Sequence, residues 1–175
     1  LNSPETKLFD KGRSLYNFST ARSALRTQSS LIVAEGYMDV IALSQASFKA
    51  SVAPLGTAIT KDQLALIWRI SPSPVVALDG DRAGGNAAYR LIDLALPLIE
   101  TGKTVKFVLM PEGYDPDDLI KERGRDAMQN LVDEAISLAD FLWRRETEGL
   151  SFDNPEARAD LDKKIDQALS NIRDR

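Results

Sequence analysis

Four short apolar runs, each closed by a polar turn and followed by a helix-like stretch, restrict this chain to an alternating α/β fold. The clearest unit is Val75 to Gly84, VVALDGDRAG. Val75-Val76-Ala77-Leu78 reads as a buried strand. It stops at Asp79, Gly80 gives the turn its backbone freedom, and Asp81 precedes a helix predicted from Ala83 to Ile99. The same order occurs earlier. Leu31-Ile32-Val33-Ala34 ends at Glu35-Gly36, and a helix begins near Tyr37-Met38 with Val40, Ile41, Leu43 and Ala46. A weaker strand covers 51 to 53 and is followed by the loop Leu55-Gly56-Thr57. Thr60 and Gln63 have capping-box spacing, opening a helix to about Ile70 that Ser71-Pro72-Ser73-Pro74 ends. Thr104 to Leu109 is the fourth strand. Pro116 suits the first position of the next helix, with Asp115 as its cap. Strands alternating with helices imply right-handed crossovers: a parallel four-stranded sheet flanked by helices.

The ends of the chain differ from this middle. Residues 1 to 18 have no clean period, read as turns at Ser3-Pro4 and Lys11-Gly12, and hold a small basic cluster of Lys7, Lys11 and Arg13. That cluster is either a solvated loop or an arm that meets phosphate. Ser19-Thr20 can cap a helix to about Gln28. Beyond Asp118 everything reads as helix: one from Ala127 to Leu142, a break at Glu148-Gly149, and a last one from Asn154-Pro155-Glu156. The last helix aligns Leu161, Ile165, Ala168, Leu169 and Ile172 in one stripe that needs a partner surface. The expected organisation is therefore 1–30, a basic segment and helix; 31–122, the α/β domain; and 123–175, a C-terminal helical subdomain. Leu1 in place of a start methionine reads as an excised fragment.

Residue usage narrows the chemistry. The chain has no cysteine and no histidine. That excludes disulfides, thiolate nucleophiles, zinc sites and histidine bases, and leaves carboxylates, Lys, Arg, Ser, Thr or Tyr. A net charge of -4 is unusual for a domain that grips nucleic acid by surface charge alone. No apolar run approaches the ~18 residues that cross a bilayer, so no membrane association is expected.

The acids carry the functional signal. In a parallel sheet all strands end on one edge, where open α/β sheets place their chemistry. Glu35, Asp79, Asp81, Asp115 and Asp117 all follow strand ends. Asp79 and Asp81 alone could be a solvated turn and a helix cap. Five acids on one rim repel, at about 4 kcal/mol per pair for ~4 Å and an effective dielectric of ~20. Divalent cations relieve that repulsion, and hard oxygen ligands suit Mg²⁺. Two such ions about 4 Å apart would clamp a phosphoryl transfer.

VAEGYMDVIAL and LDGDRAG, with acids at 35 and 79, resemble the Toprim domain shared by bacterial primases, topoisomerases and some nucleases. LNSPETKLFDKGRSLYNFSTAR, EGYMDV, SVAPLGTAIT and PEGYDPDDLI, in that order, are similar to the RNA polymerase core of DnaG-type bacterial primases, over about residues 1 to 145. The resemblance implies roles position by position. Glu35 matches the Toprim glutamate, an acid/base or metal ligand. Asp79 and Asp81 match the DxD metal ligands, and Asp115 and Asp117 match further acids that hold metal. Lys11, and beside the DxD pair Arg82, fall where nucleotide or nucleic-acid phosphate is met. Asp39 is either another member of the site or an early-helix acid favoured by the helix dipole.

The resemblance further implies Mg²⁺ or Mn²⁺, two ions, as cofactor, with zinc confined to a domain absent from this chain. It implies ribonucleoside triphosphates, a single-stranded DNA template and an RNA primer as partners, and a replicative helicase bound through another absent domain. The setting would be the bacterial cytoplasm, and the isolated fragment is expected to be inactive because the basic groove lies elsewhere. Two alternatives stay open: a Toprim nuclease or topoisomerase fragment, and a non-catalytic nucleotide-binding or replisome-docking module.

Overall fold

The computed structural model describes residues 6, 9–56, 58–149 and 155–172. Lys7, the Ser3-Pro4 turn, Thr57 and Asn154 lie outside the described residues. The chain forms a six-stranded sheet: β1 (Leu15–Tyr16), β2 (Ile32–Val33), β3 (Ser51–Pro54), β4 (Val75–Leu78), β5 (Lys106–Leu109) and β6 (Ile136–Ser137), in the order β1-β3-β2-β4-β5-β6. The expected four parallel strands are its centre: β3, β2, β4 and β5 pair in parallel, with Ile32 opposite both Ser51 and Val75, and Val75 opposite Lys106. The four-strand expectation is corrected at the edges. There β1 adds antiparallel to β3 and β6 antiparallel to β5. Each has two residues, too few to show a period in sequence; pairing with a neighbour makes them strands.

The central strands are continuous apolar runs because helices cover both faces. Successive side chains alternate between two cores. Val33, Val76 and Leu78 face one core, with α3 (Lys61–Ile70), α4 (Arg82–Ala95) and α6 (Leu138–Thr147). Ile32, Ala34, Val75 and Ala77 face the other, with α2 (Tyr37–Gln45) and α5 (Pro116–Asp133). Full burial of each Leu, Ile, Val or Phe contributes roughly 1.5–3 kcal/mol.

Several predicted boundaries hold. Thr60 and Gln63 form the capping box of α3, and Asp115 caps α5 with Pro116 in its first turn. Others move. The N-terminal helix, α1 (Phe18–Ala24), starts from Asn17 in the left-handed region at φ 61° rather than from Ser19-Thr20. The Asn17 side chain donates to Ser51 O at 2.9 Å, tying the turn to β3. The single helix expected over 127–142 is divided: α5 ends at Asp133, β6 intervenes and α6 begins at Leu138. Ser137 supplies the cap, its Oγ accepting from Asp140 N. The last helix, α7 (Pro155–Ser170), buries Leu161 and Ala168 and packs on α6, whereas Leu169 of the expected stripe is exposed.

Candidate active site

The rim at the carboxyl ends of the strands is assembled by backbone contacts between the loops that carry the acids. Gly80 N donates to Tyr114 O at 2.9 Å and Gly113 N to Gly80 O at 3.1 Å, lacing the exit of β4 to that of β5. A Cβ on Gly80 would lie 1.9 Å from Pro111 O, so this approach admits only glycine. A Cβ on Gly84 would lie 2.2 Å from Asp79 O, which lets the first turn of α4 close onto the same strand end.

These contacts bring some of the predicted acids together. Glu35, half-buried at the end of β2, accepts a hydrogen bond from Asp79 N at 3.3 Å. Asp79 is the most stressed of the acids. Its Oδ1 is buried with no hydrogen-bond partner among the described residues. Burial first, then the charges of Glu35, Asp39, Asp115 and Asp81, push its carboxyl up to about 6. Asp39 is buried at 7% exposure on the first turn of α2 and is likewise pushed up to about 6, by burial and then by Asp115. Its Oδ2 accepts from Gly36 N at 3.1 Å, and the Asp117 backbone N–H offsets part of the shift. Asp39 is thus a full member of the rim. In sequence its only sign is its place four residues after Glu35, which an ordinary first-turn acid shares.

Asp81, Asp115 and Asp117 are near enough to act on Asp79 or Asp39 by charge, but each has an oxygen committed elsewhere. Asp81 caps α4, its Oδ1 accepting from Gly84 N at 2.7 Å, and Asp115 caps α5 by accepting from Asp118 N at 2.7 Å. Asp117 pairs with Lys121 at 2.6 Å. Arg82 is exposed on the first turn of α4, next to Asp81. Lys11 lies in a 3-10 turn, Lys11–Arg13, that leads into β1 at the far side of the rim. Among the described residues no three acids lie close enough to enclose an ion by themselves. Beside Glu35 a cavity of about 270 Å³ opens between the sheet and α4, with Ala34, Pro54, Ile59 and Leu91 on its walls. It gives that carboxylate an apolar neighbour on one side.

The rim suits a hard divalent cation. Its donors are carboxylate oxygens, and the orphaned Asp79 Oδ1 is the kind of buried acceptor that requires a counter-ion or donor. Mg²⁺ keeps several waters and is held by one or two carboxylates together with substrate phosphates. A rim without a closed three-acid cage fits that habit.

Fold and rim together define a class. The family model described as Toprim-like matches residues 32–120, just over half of the chain, and the chain belongs to that family. It is similar, at 43% identity over 174 residues, to the DNA primase of Rickettsia felis, covering 99% of this chain and 29% of the relative. Its fold is also similar to a DNA primase domain from Pseudomonas aeruginosa (TM-score 0.92, 38% identity, 99% of this chain and 55% of that one). A DnaG primase catalytic domain bound to single-stranded DNA is similar too (TM-score 0.91, 36% identity, 99% and 56%). The chain spans 29% of the length of the first curated relatives it matches. No helix among the described residues is long and apolar enough to cross a membrane.

Proposed function

We propose that this chain is the catalytic Toprim part of a bacterial primase, which joins ribonucleoside triphosphates into short RNA primers on single-stranded DNA during replication. The observation that carries the reading is the meeting of Glu35, Asp39 and Asp79 at one strand edge, with Asp79 Oδ1 unpartnered among the described residues. The likeness to primases along nearly the whole chain supports it.

In this reading Asp79 and Asp39 would hold Mg²⁺ or Mn²⁺ together with waters and the nucleotide's phosphates, and Asp81, Asp115 and Asp117 would contribute to a second ion. When bound, the cation neutralises charge that develops on the phosphoryl group. Glu35, fixed over β4 by the Asp79 N–H, is placed to take the proton of an attacking 3′-hydroxyl. Arg82 and the Lys11 turn supply positive charge on either side of the acids, for phosphates of nucleotide or template. A template groove, zinc and a helicase contact belong to parts of the longer protein beyond this chain, and the cytoplasm is where replication would use it.

The test is primer synthesis by the full-length protein carrying Asp79→Asn. The expected loss is about a hundredfold or more, the scale on which preorganised charge acts in catalysis. Activity near wild type would overturn the assignment.

A further inference from the structure

One polar side chain is buried at the rim without belonging to the acids. Gln63, in the first turn of α3, is 1% exposed. Its capping role uses only Oε1, which accepts from Thr60 N at 2.9 Å. Both amide hydrogens go elsewhere: Nε2 donates to Lys11 O at 2.9 Å and to Ser14 O at 2.9 Å, across about fifty residues of chain. Those two carbonyls bracket the 3-10 turn that carries Lys11 and Arg13. Thr60 adds a third tie, its Oγ1 donating to Gly12 O, and Arg13 Nε meets Asp62 of the same helix at 3.3 Å. A helix needs none of these contacts for its own cap; they fix the turn.

The turn's place matters. Leu15 pairs with Pro54, the last residue of β3, so the chain before Leu15 runs out over the same edge as the acids. Strand order puts β1 two places from β2 and three from β4. At about 4.8 Å per strand the turn is therefore roughly 10–15 Å from Glu35 and Asp79 along the rim. One nucleotide would span that distance, with its phosphates reaching a basic group in the turn.

We propose that Gln63 is a positioning residue that holds the Lys11–Arg13 turn in register with the acidic rim, so that Lys11 meets nucleotide phosphate. The inference rests on the primase reading and adds to it a specific route by which a residue outside the acids governs nucleotide affinity. Gln63→Glu keeps the size of the side chain and the acceptor for Thr60 N, but turns a donor into an acceptor facing Lys11 O and Ser14 O.

The experiment measures primer synthesis by the full-length protein at varied nucleotide concentration, for Gln63→Glu, Thr60→Ala, Lys11→Ala and the double variant Gln63→Glu/Lys11→Ala. The expected result is a five- to tenfold rise in KM for each single variant, with kcat for the Gln63 and Thr60 variants within about twofold of wild type. In the Lys11→Ala background Gln63→Glu then adds less than a twofold change, because both act through one turn. Thr60→Ala, which leaves Gln63 in place, carries the test if Gln63→Glu does not fold. An unchanged KM in a folded Gln63 or Thr60 variant, or an additive effect in the double variant, overturns the positioning role. A Lys11→Ala protein with wild-type KM overturns it too, by removing the residue it acts through. Failure of the primase reading shows separately, as an Asp79→Asn protein that still makes primers.

Discussion

At the exit of β4, Asp79 keeps a buried oxygen without a partner among the described residues and a carboxyl raised to about 6. Farther along the same edge, Gln63 is more deeply buried, yet its oxygen and both amide hydrogens are matched. The two regions share one sheet and differ in what completes them. Polar groups satisfied within the chain fix its shape. Polar groups left wanting, in a cluster of one sign, mark where something from outside must enter. The contrast also runs through the acids, since Asp81 and Asp115 spend one oxygen on helix caps while Asp79 does not.

The largest effect expected from this contrast is on catalysis. On the proposed primase reading, Asp79→Asn lowers primer synthesis by the full-length protein by about a hundredfold or more, while folding survives because the change relieves repulsion. Circular dichroism melting of the same variant checks the second half, and a loss of Tm would contradict it. Next in size is a backbone lesion. Gly80→Ala drives a methyl into Pro111 O and costs at least about 2 kcal/mol in urea unfolding, since overpacking of this kind has nowhere to relax. A neutral Gly80→Ala would break the account of how the acidic loops are laced together.

The pH dependence comes third. Asp39 and Asp79 hold protons longer in the folded state than in the unfolded one. Their contribution to stability is fully present below about pH 4 and lost as pH rises through about 6. The metal-free chain should therefore be more stable at pH 5.5 than at 7.5, by about 1 kcal/mol after discounting the more exposed Asp79 for solvent screening. Thermal melts across that window read it, and a chain that is instead more stable at pH 7.5 would contradict it. For stability, removing Asp117 should matter least. Asp117→Asn breaks its pair with the fully exposed Lys121, and thermal melting should show no resolvable shift in Tm.

Much of this frame was visible before the fold. The central strands announce themselves as apolar runs because both faces are covered, and Thr60, Asp115 and Pro116 follow capping chemistry that acts within a few residues. What sequence could not show depends on contacts between distant segments. The edge strands β1 and β6 exist only by pairing with β3 and β5. Asn17 opens α1 because its side chain reaches Ser51. Asp39 and Gln63 look like ordinary first-turn residues. Their significance comes from burial against α5 in one case and under the Lys11 turn in the other. Spacing places five acids on one rim, but it cannot say that Asp81 and Asp115 would turn an oxygen toward helix ends.

The central claim is that the acids at the ends of β2 and β4, with Asp39, form a rim completed by a cation. Its most direct test is a Mn²⁺ titration of the purified chain followed by electron paramagnetic resonance, beside the Asp79→Asn variant. The account predicts saturable binding that the substitution weakens at least tenfold. Binding indifferent to Asp79, or none at millimolar Mn²⁺, would contradict it.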